Sequence, residues 1–299
     1  MQYENVRKNK IQTGITIFLF MVGVYFLSYF VCKRLNFGNL SLIIAFFLST
    51  GTTFLTYWNS DKIVLKVVNA REPNSTEEYY INELLVNLCI AAGLSKRPKL
   101  YIMESEQQNA FATGRNLDNS VICLTTGIIK KLDKPELEAV IGHELTHIIN
   151  NDISITTIVS VMAGFLTILS DMALRYGGYY RGSSDNEESS GSLIVLIIGM
   201  IALLVAPLIS TIVQMFISRR REYMADAGSV ALTRNPDAMI NALIKIHEDA
   251  NVMNVPVNSV KGLFISDPDP KLKNFKGKSS MFSSHPSLEE RIKAIQNLR

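Results

Sequence analysis

Four long stretches without a charged residue constrain this chain more than any other feature of its sequence. They are Ile11–Cys32, Leu35–Ser60, Ile153–Ser170 and Ser189–Ser218. A membrane-spanning helix needs about 20 consecutive apolar residues. The sequence therefore predicts transmembrane helices at 11–32, 35–60, 153–174 and 192–218. The third segment is rich in Ser and Thr and contains Asp171, so a buried helix of a soluble domain is an alternative reading.

The bulk composition agrees with a membrane protein. Of 299 residues, 47% are hydrophobic and 19% are charged, which is more apolar than the average soluble protein. The net charge of +3 is small and gives no indication of a nucleic-acid partner. Cys32, Cys89 and Cys123 are widely spaced and form no CxxC pair, so we expect three free thiols.

The distribution of basic residues predicts the orientation. Lys and Arg near span ends accumulate on the cytoplasmic side of a membrane protein. One side would carry Arg7, Lys8, Lys10, Lys62, Lys66, Arg71, Arg219, Arg220 and Arg221. The other would carry Lys33, Arg34, Arg175 and Arg181. Both termini, the 61–152 segment and the 219–299 segment are therefore predicted to be cytoplasmic, and 175–191 forms an extracytoplasmic loop. Arg219–Arg221 are expected to snorkel at the membrane interface.

The two soluble segments have patterns typical of helices with three short strands between them. The strands are predicted in "PKLYIME", "NAFAT" and "SVICLTT". Helix N-caps are predicted at Ser75, at Asp133 and at Ser287, where Glu290 completes a capping box. The 251–284 segment is long and irregular, which is typical of a functional loop.

The stretch "AVIGHELTHIINND" contains the strongest chemical signal. His143 and His147 are four residues apart, so on a helix their imidazoles share one face and can bind one metal ion. Imidazole is a ligand that zinc prefers, and catalytic zinc has three protein ligands and a water. Glu144 stands where it can accept a proton from that water. A surface helix with two histidines is the structural alternative.

A third ligand has to come from a distant segment, because no further His follows in the metzincin pattern. "REYMADAGS" offers Glu222 as a ligand and Asp226, one turn later, as a partner for the free N–H of a ligating His. Such a pair is also common on a solvated helix face. His147 and Glu222 both lie close to a predicted span, with two spans between them. They would therefore emerge on the same side of the bilayer.

Four motifs in order resemble those of the HtpX-type membrane metalloproteases, which are relatives of the CaaX prenyl proteases. The motifs are "NAFATG", "AVIGHELTHIINND", "SRRREYMADAGS" and "HPSLEERI". The resemblance covers nearly the whole chain. It implies a mainly α fold with a small β-sheet. Four transmembrane helices would carry a cytoplasmic zincin-like α+β metalloprotease domain assembled from the 61–152 and 219–299 segments.

The same resemblance implies a zinc endopeptidase of the bacterial inner membrane. It would cleave misfolded or damaged membrane proteins in a stress-linked quality-control role. One Zn²⁺ per chain would be held by His143, His147 and Glu222, with Glu144 as the catalytic base. The oligomeric state stays open.

Two further roles follow from the resemblance. The strand at Asn109, Ala110, Phe111 and Ala112 would pair with the substrate backbone, although an ordinary core strand is the alternative. His285 would stabilise the oxyanion of the tetrahedral intermediate, although a capping or surface residue is equally compatible with its position. Arg291 could anchor this last motif by an ion pair. Two other functions remain open: a CaaX-type prenyl-peptide protease and a zinc-binding membrane scaffold without turnover.

Overall fold

The computed structural model describes residues 2–34, 37–179, 219–251, 253, 258–266, 268 and 286–298. The described part is mainly helical and contains one small mixed sheet. Its α-helices are α1 Gln2–Arg34, α2 Leu40–Trp58, α3 Ser60–Val67, α4 Ser75–Ala91, α5 Thr126–Lys131, α6 Lys134–Ile149, α7 Asp152–Tyr179, α8 Arg219–Thr233, α9 Pro236–Glu248 and α10 Leu288–Gln296. The strands are β1 Lys99–Met103, β2 Ala110–Gly114 and β3 Ser120–Thr125. Two 3₁₀ turns, Leu117–Asn119 and Asn258–Leu263, complete the described elements.

Two helices of the described part, α1 and α2, are by themselves long and apolar enough to cross a membrane. Large apolar side chains on both helices point outward: Phe18, Leu19, Phe47 and Leu55 are each more than half exposed. Exposure of these apolar surfaces to water is unfavourable, whereas the hydrocarbon core of a bilayer can surround them. The structure therefore agrees with the first two predicted spans. The fourth, 192–218, lies outside the described residues.

Helix α7 corresponds to the third predicted span but begins one residue earlier, at Asp152. The side chains from Ile153 to Met162 are almost all buried within the protein. Helix α6 ends just before α7, and the two axes meet at an angle of 85°. Asn151, with φ of 58°, makes the corner between them. Helix α1 packs along α7, where Phe20 and Phe165 meet edge to face at 6.1 Å.

The sheet confirms the three predicted strands. Its order is β1-β3-β2, with β1 parallel and β2 antiparallel to β3. Both β2 and β3 are buried along their whole length. Because β2 is the last strand in this order, it lies at one edge of the described sheet, and α6 packs against it.

Side-chain caps fix where the main helices begin. Asp133 caps α6, as the sequence predicts, and it also forms a capping box with Glu136. Ser287 and Glu290 do the same for α10. The predicted cap of α4 was wrong by one residue. Asn74 is the N-cap, since its side chain accepts the backbone N–H groups of the next turn.

Two C-terminal helices, α8 and α9, pack directly on α6, and α10 packs on both of them. Helix α8 crosses α6 closely because Gly228 has no side chain: a Cβ there would come 2.4 Å from Thr146 Cγ2. Ser229 also donates a hydrogen bond to the Ala139 carbonyl of α6. Helices α9 and α10 close the same core. This close crossing decides which side chains of α8 reach the histidine face of α6.

Candidate metal site

The structure brings three of the predicted residues together. The potential ligand atoms of His143, His147 and Glu222 all lie within 4.8 Å of one another. The two Nε2 atoms are 3.2 Å apart. Glu222 carboxylate oxygens lie 3.8 Å from His143 Nε2 and 3.5 Å from His147 Nε2. Helix α6 supplies both imidazoles and α8 supplies the carboxylate.

Carboxylates at the opposite nitrogens orient both rings. His143 Nδ1 lies 2.9 Å from Asp226 Oδ1, and His147 Nδ1 lies 3.1 Å from Asp152 Oδ2. A carboxylate beside Nδ1 favours a proton on that nitrogen, which leaves the Nε2 lone pair free. Both lone pairs then face the same point. Such an arrangement needs a cation or a shared proton between the two rings.

The pKa values of the two histidines differ because their surroundings differ. Burial lowers the pKa of His143, and the nearby Asp226 opposes this only in part. Burial also acts on His147, but the hydrogen bond with Asp152 and the charge of Glu222 outweigh it and raise its pKa to about 9. Without a metal, His147 therefore carries a proton at neutral pH. A metal ion has to displace that proton.

A buried ion pair holds Asp226. Arg291, on α10, donates two hydrogen bonds to this carboxylate at 2.6 and 2.8 Å, and both side chains are almost fully buried. Burial alone would raise the pKa of Asp226, but the charge of Arg291 keeps it below its usual value. The Arg291 guanidinium also approaches Glu222 at 3.6 Å. The expectation that Arg291 anchors the last motif by an ion pair agrees with these contacts.

Glu144 lies beside the cluster and is buried. Its pKa is raised to about 7, mainly by burial, and Glu222 adds to the shift while the positive charge of His147 opposes it. The backbone N–H of Ala112 donates a hydrogen bond to this carboxylate. A carboxyl group with a pKa near neutrality can both accept and return a proton at neutral pH.

The outer edge of β2 already has partners within the chain. Ile265 N–H donates to the Ala110 carbonyl at 2.9 Å. The side-chain amide of Asn109 donates a hydrogen bond to the Ser266 carbonyl at 2.8 Å. Phe264 packs edge to face on Phe111 at 5.0 Å. The 262–266 segment therefore lies beside the strand that the resemblance assigns to substrate.

This segment also helps to line the pocket that contains His143, His147 and Glu222. Ala112, Glu144, Arg221 and Phe264 are among the lining residues. The sequence predicts that Arg221 snorkels at the membrane interface, but this prediction was wrong. Its guanidinium lies in the pocket, where it is largely buried and close to Asp152 and Glu222.

Sequence reasoning missed Asp152 as the orienting partner of His147. A signal was present, because a carboxylate five residues after a ligating His, just beyond the end of its helix, lies within reach of the imidazole. His285 lies outside the described residues, and so does most of the 267–285 segment. The structure therefore leaves the oxyanion role of His285 as a prediction.

The three donor groups fit a zinc ion. In tetrahedral coordination with bonds of about 2.0–2.1 Å, two ligand atoms are separated by roughly 3.3 Å. The separations here are 3.2, 3.5 and 3.8 Å. Two imidazoles and one carboxylate are also the donor set of one known class of catalytic zinc site. A largely buried His₂Glu cluster beside a Glu, on a chain with lipid-compatible helices, defines a membrane metallohydrolase.

Comparisons with known proteins agree with this class. The model of peptidase family M48 matches residues 75–299. A protein named "Protease HtpX homolog" from Thermoanaerobacter pseudethanolicus is 37% identical over 301 residues, covering 100% of this chain and 97% of that protein. One of the same name from Dictyoglomus thermophilum is 36% identical over 303 residues, covering 98% and 94%. The crystal structure of S. mikatae Ste24p is similar in fold, with a TM-score of 0.50 and 18% identity, over 98% of this chain and 67% of that one.

This chain belongs to peptidase family M48. The resemblance to HtpX-type membrane metalloproteases, first drawn from four motifs, is thereby confirmed. The protein is a membrane metalloprotease, and proteolysis implies polypeptide substrates.

Proposed function

We propose that this protein is a membrane-integrated, zinc-dependent endopeptidase that hydrolyses misfolded or damaged membrane proteins at the cytoplasmic face. The observation that carries the proposal is the cluster of buried His143, half-buried His147 and buried Glu222, with buried Glu144 beside it. The donor set favours zinc among the divalent ions. In this proposal, Asp226 and Asp152 keep both imidazoles in the tautomer that ligation requires.

The chain's own residues supply the remaining chemistry. A zinc ion held here would polarise the scissile carbonyl and lower the pKa of a bound water. Glu144 accepts the proton of the attacking water and later returns it to the leaving amine. Its burial raises its pKa to about 7, so the carboxylate can take up and release a proton at neutral pH. Arg221, in the same pocket, adds positive charge near the place where negative charge develops.

The substrate backbone is proposed to bind along β2, from Asn109 to Ala112, by strand addition. The outward carbonyl of Ala110 would accept a substrate N–H, but it already accepts Ile265 N–H. Full strand addition therefore requires the 262–266 segment to move aside. His285 is proposed to approach the cleft from the far end of the 267–285 segment.

The proposed topology has four spans and a catalytic domain assembled from two chain segments in the cytoplasm of a bacterial inner-membrane protein. The basic residues at the span ends support this orientation. The buried start of α7, directly after α6, supports a catalytic site close to the membrane surface. The close packing of α8 on α6 supports the assembly of the two segments.

The test compares substrates and variants of the full chain in detergent with zinc. Casein, an unfolded membrane protein and a farnesylated peptide are offered to the wild type, to Glu144→Gln and to Glu138→Gln. Glu138 is a matched control because it is a partly exposed acid on the same helix. We expect cleavage of the unfolded proteins, a loss of at least about 100-fold in Glu144→Gln and near-normal activity in the control.

The same experiment separates the two alternatives. Selective cleavage of the farnesylated peptide would indicate a CaaX-type prenyl-peptide protease. Zinc binding without any cleavage would indicate a scaffold without turnover. Either that result or equal cleavage by Glu144→Gln would overturn the proposal.

A further inference from the structure

One polar side chain of the first membrane helix points into the protein at the metal site. Asn9 is buried, whereas its neighbours Arg7, Lys8 and Lys10 are exposed. Its side-chain amide donates to Asp152 Oδ1 at 2.7 Å and to the Asn150 carbonyl at 3.0 Å. The basic neighbours are thus available to solvent or lipid headgroups, and Asn9 alone of these four is committed to the interior.

The two acceptors of Asn9 lie at the corner between α6 and α7. The Asn150 carbonyl follows the end of α6, and Asp152 begins α7. A single amide therefore joins both sides of a bend of 85°. Thr13, one turn further along α1, is also buried and donates to the Asn9 carbonyl. The two hydrogen bonds of the Asn9 side chain therefore fix the corner to α1, whereas the Thr13 bond stays within α1.

Asp152 transmits this contact to a proposed metal ligand. One carboxylate oxygen accepts from Asn9, and the other lies 3.1 Å from His147 Nδ1. The Asp152 carboxylate is almost fully buried. Leaving its Oδ1 without the Asn9 donor would therefore cost free energy, as for any buried acceptor that loses its partner. Loss of the Asn9 amide would favour rotation of Asp152 toward other donors or water. The His147 ring would then lose its fixed orientation.

We propose that Asn9 is a positioning residue for the metal site, and that the first membrane helix thereby forms part of the support of a metal ligand. The path runs from Asn9 through Asp152 to His147. The inference rests on the proposed function only in that His147 binds a metal ion. It makes the site dependent on a segment that lies outside the matched 75–299 region.

The experiment measures zinc affinity of the full chain in detergent by competition with a chromophoric chelator. Asn9→Ala is compared with the wild type, and the same substitution is repeated in an Asp152→Ala background. We expect about tenfold weaker zinc binding in the first comparison, at the low end for loss of an outer hydrogen-bond partner. In the second comparison the change should fall within about twofold, because the path is already broken.

Two further variants separate positioning from general damage. Ser49→Ala removes another buried polar side chain from a membrane helix and should leave zinc affinity unchanged. Within the described part of the chain, the Ser49 hydroxyl donates to the Phe46 carbonyl of its own helix. Asn9→Gln retains the amide and should recover part of the affinity. Unchanged affinity in Asn9→Ala, or an equal loss in both backgrounds, would overturn the inference.

This result is independent of turnover. If the wild type cleaves nothing but the coupling between Asn9 and Asp152 is observed, the proposed function fails and the inference stands. If the protein cleaves substrates and the coupling is absent, the inference fails and the proposed function stands.

Discussion

Removal of Arg291 should destabilise the protein strongly, because it would leave the buried carboxylate of Asp226 without its partner. The two side chains are 4% and 1% exposed and share hydrogen bonds of 2.6 and 2.8 Å. Breaking a buried ion pair by deleting one member costs about 3–5 kcal/mol. At about 2–4 °C per kcal/mol, we expect Arg291→Met to lower the apparent unfolding midpoint by roughly 10 °C.

A second substitution should reverse much of this loss. Asp226→Asn removes the uncompensated charge and keeps an oxygen that can accept from His143. We therefore expect the double variant Arg291→Met/Asp226→Asn to recover at least half of the lost stability, although each single change is unfavourable.

The assay is thermal unfolding of the zinc-loaded chain in detergent, followed by circular dichroism. Lys293→Met is the matched control, because Lys293 is exposed on the same helix, and its effect should stay within about 0.5 kcal/mol. The reasoning is refuted if Arg291→Met shifts the midpoint no more than this control does. It is equally refuted if the two substitutions are simply additive.

Three other predictions concern helix packing, the strand edge and proton release. Gly228→Ala should weaken zinc binding by at least about tenfold, since the new methyl would collide with Thr146 and push α8 away from α6. Unchanged affinity in a chelator competition would contradict the dependence of the metal site on this close crossing. Ile265→Pro deletes the N–H that donates to the edge of β2, so kcat/KM for an unfolded substrate should rise about fivefold, as expected for one hydrogen bond. A fall in kcat/KM would instead identify the 262–266 segment as part of the substrate-binding site. At pH 8 the raised pKa of His147 keeps this residue protonated without metal. Calorimetry in several buffers should therefore show that the wild type releases about one more proton on zinc binding than Asp152→Asn does. Equal proton release by the two proteins would contradict the raised pKa of His147.

The local elements of the site were predictable from the sequence because they depend on neighbouring residues. The spacing of His143 and His147 puts them on one helix face whatever the rest of the fold does. The cap at Asp133 fixes where that helix begins, and the structure confirms it. The cap of α4 was misassigned because Asn74 and Ser75 are both good cap residues, and only the backbone conformation chooses between them.

Contacts between distant segments were harder to predict. Glu222 could be suggested from the number of spans between it and the histidines, because membrane topology restricts which segments can meet. Nothing comparable restricts Asn9, which meets Asp152 only because α1 packs on α7. Arg221 was misinterpreted for the same reason: a basic residue beside a span is usually at the interface, and its burial depends on α6 and α7.

The central claim is that one zinc ion is bound by two imidazoles of α6 and a carboxylate of α8. X-ray absorption at the zinc edge of the purified full chain tests it most directly, with His143→Ala/His147→Ala and Glu222→Ala measured in parallel. The account predicts about one zinc per chain with imidazole and oxygen ligands at roughly 2.0–2.1 Å, no imidazole signature in the histidine variant and fewer oxygen ligands in Glu222→Ala. A full zinc content with unchanged imidazole coordination in the histidine variant would contradict it.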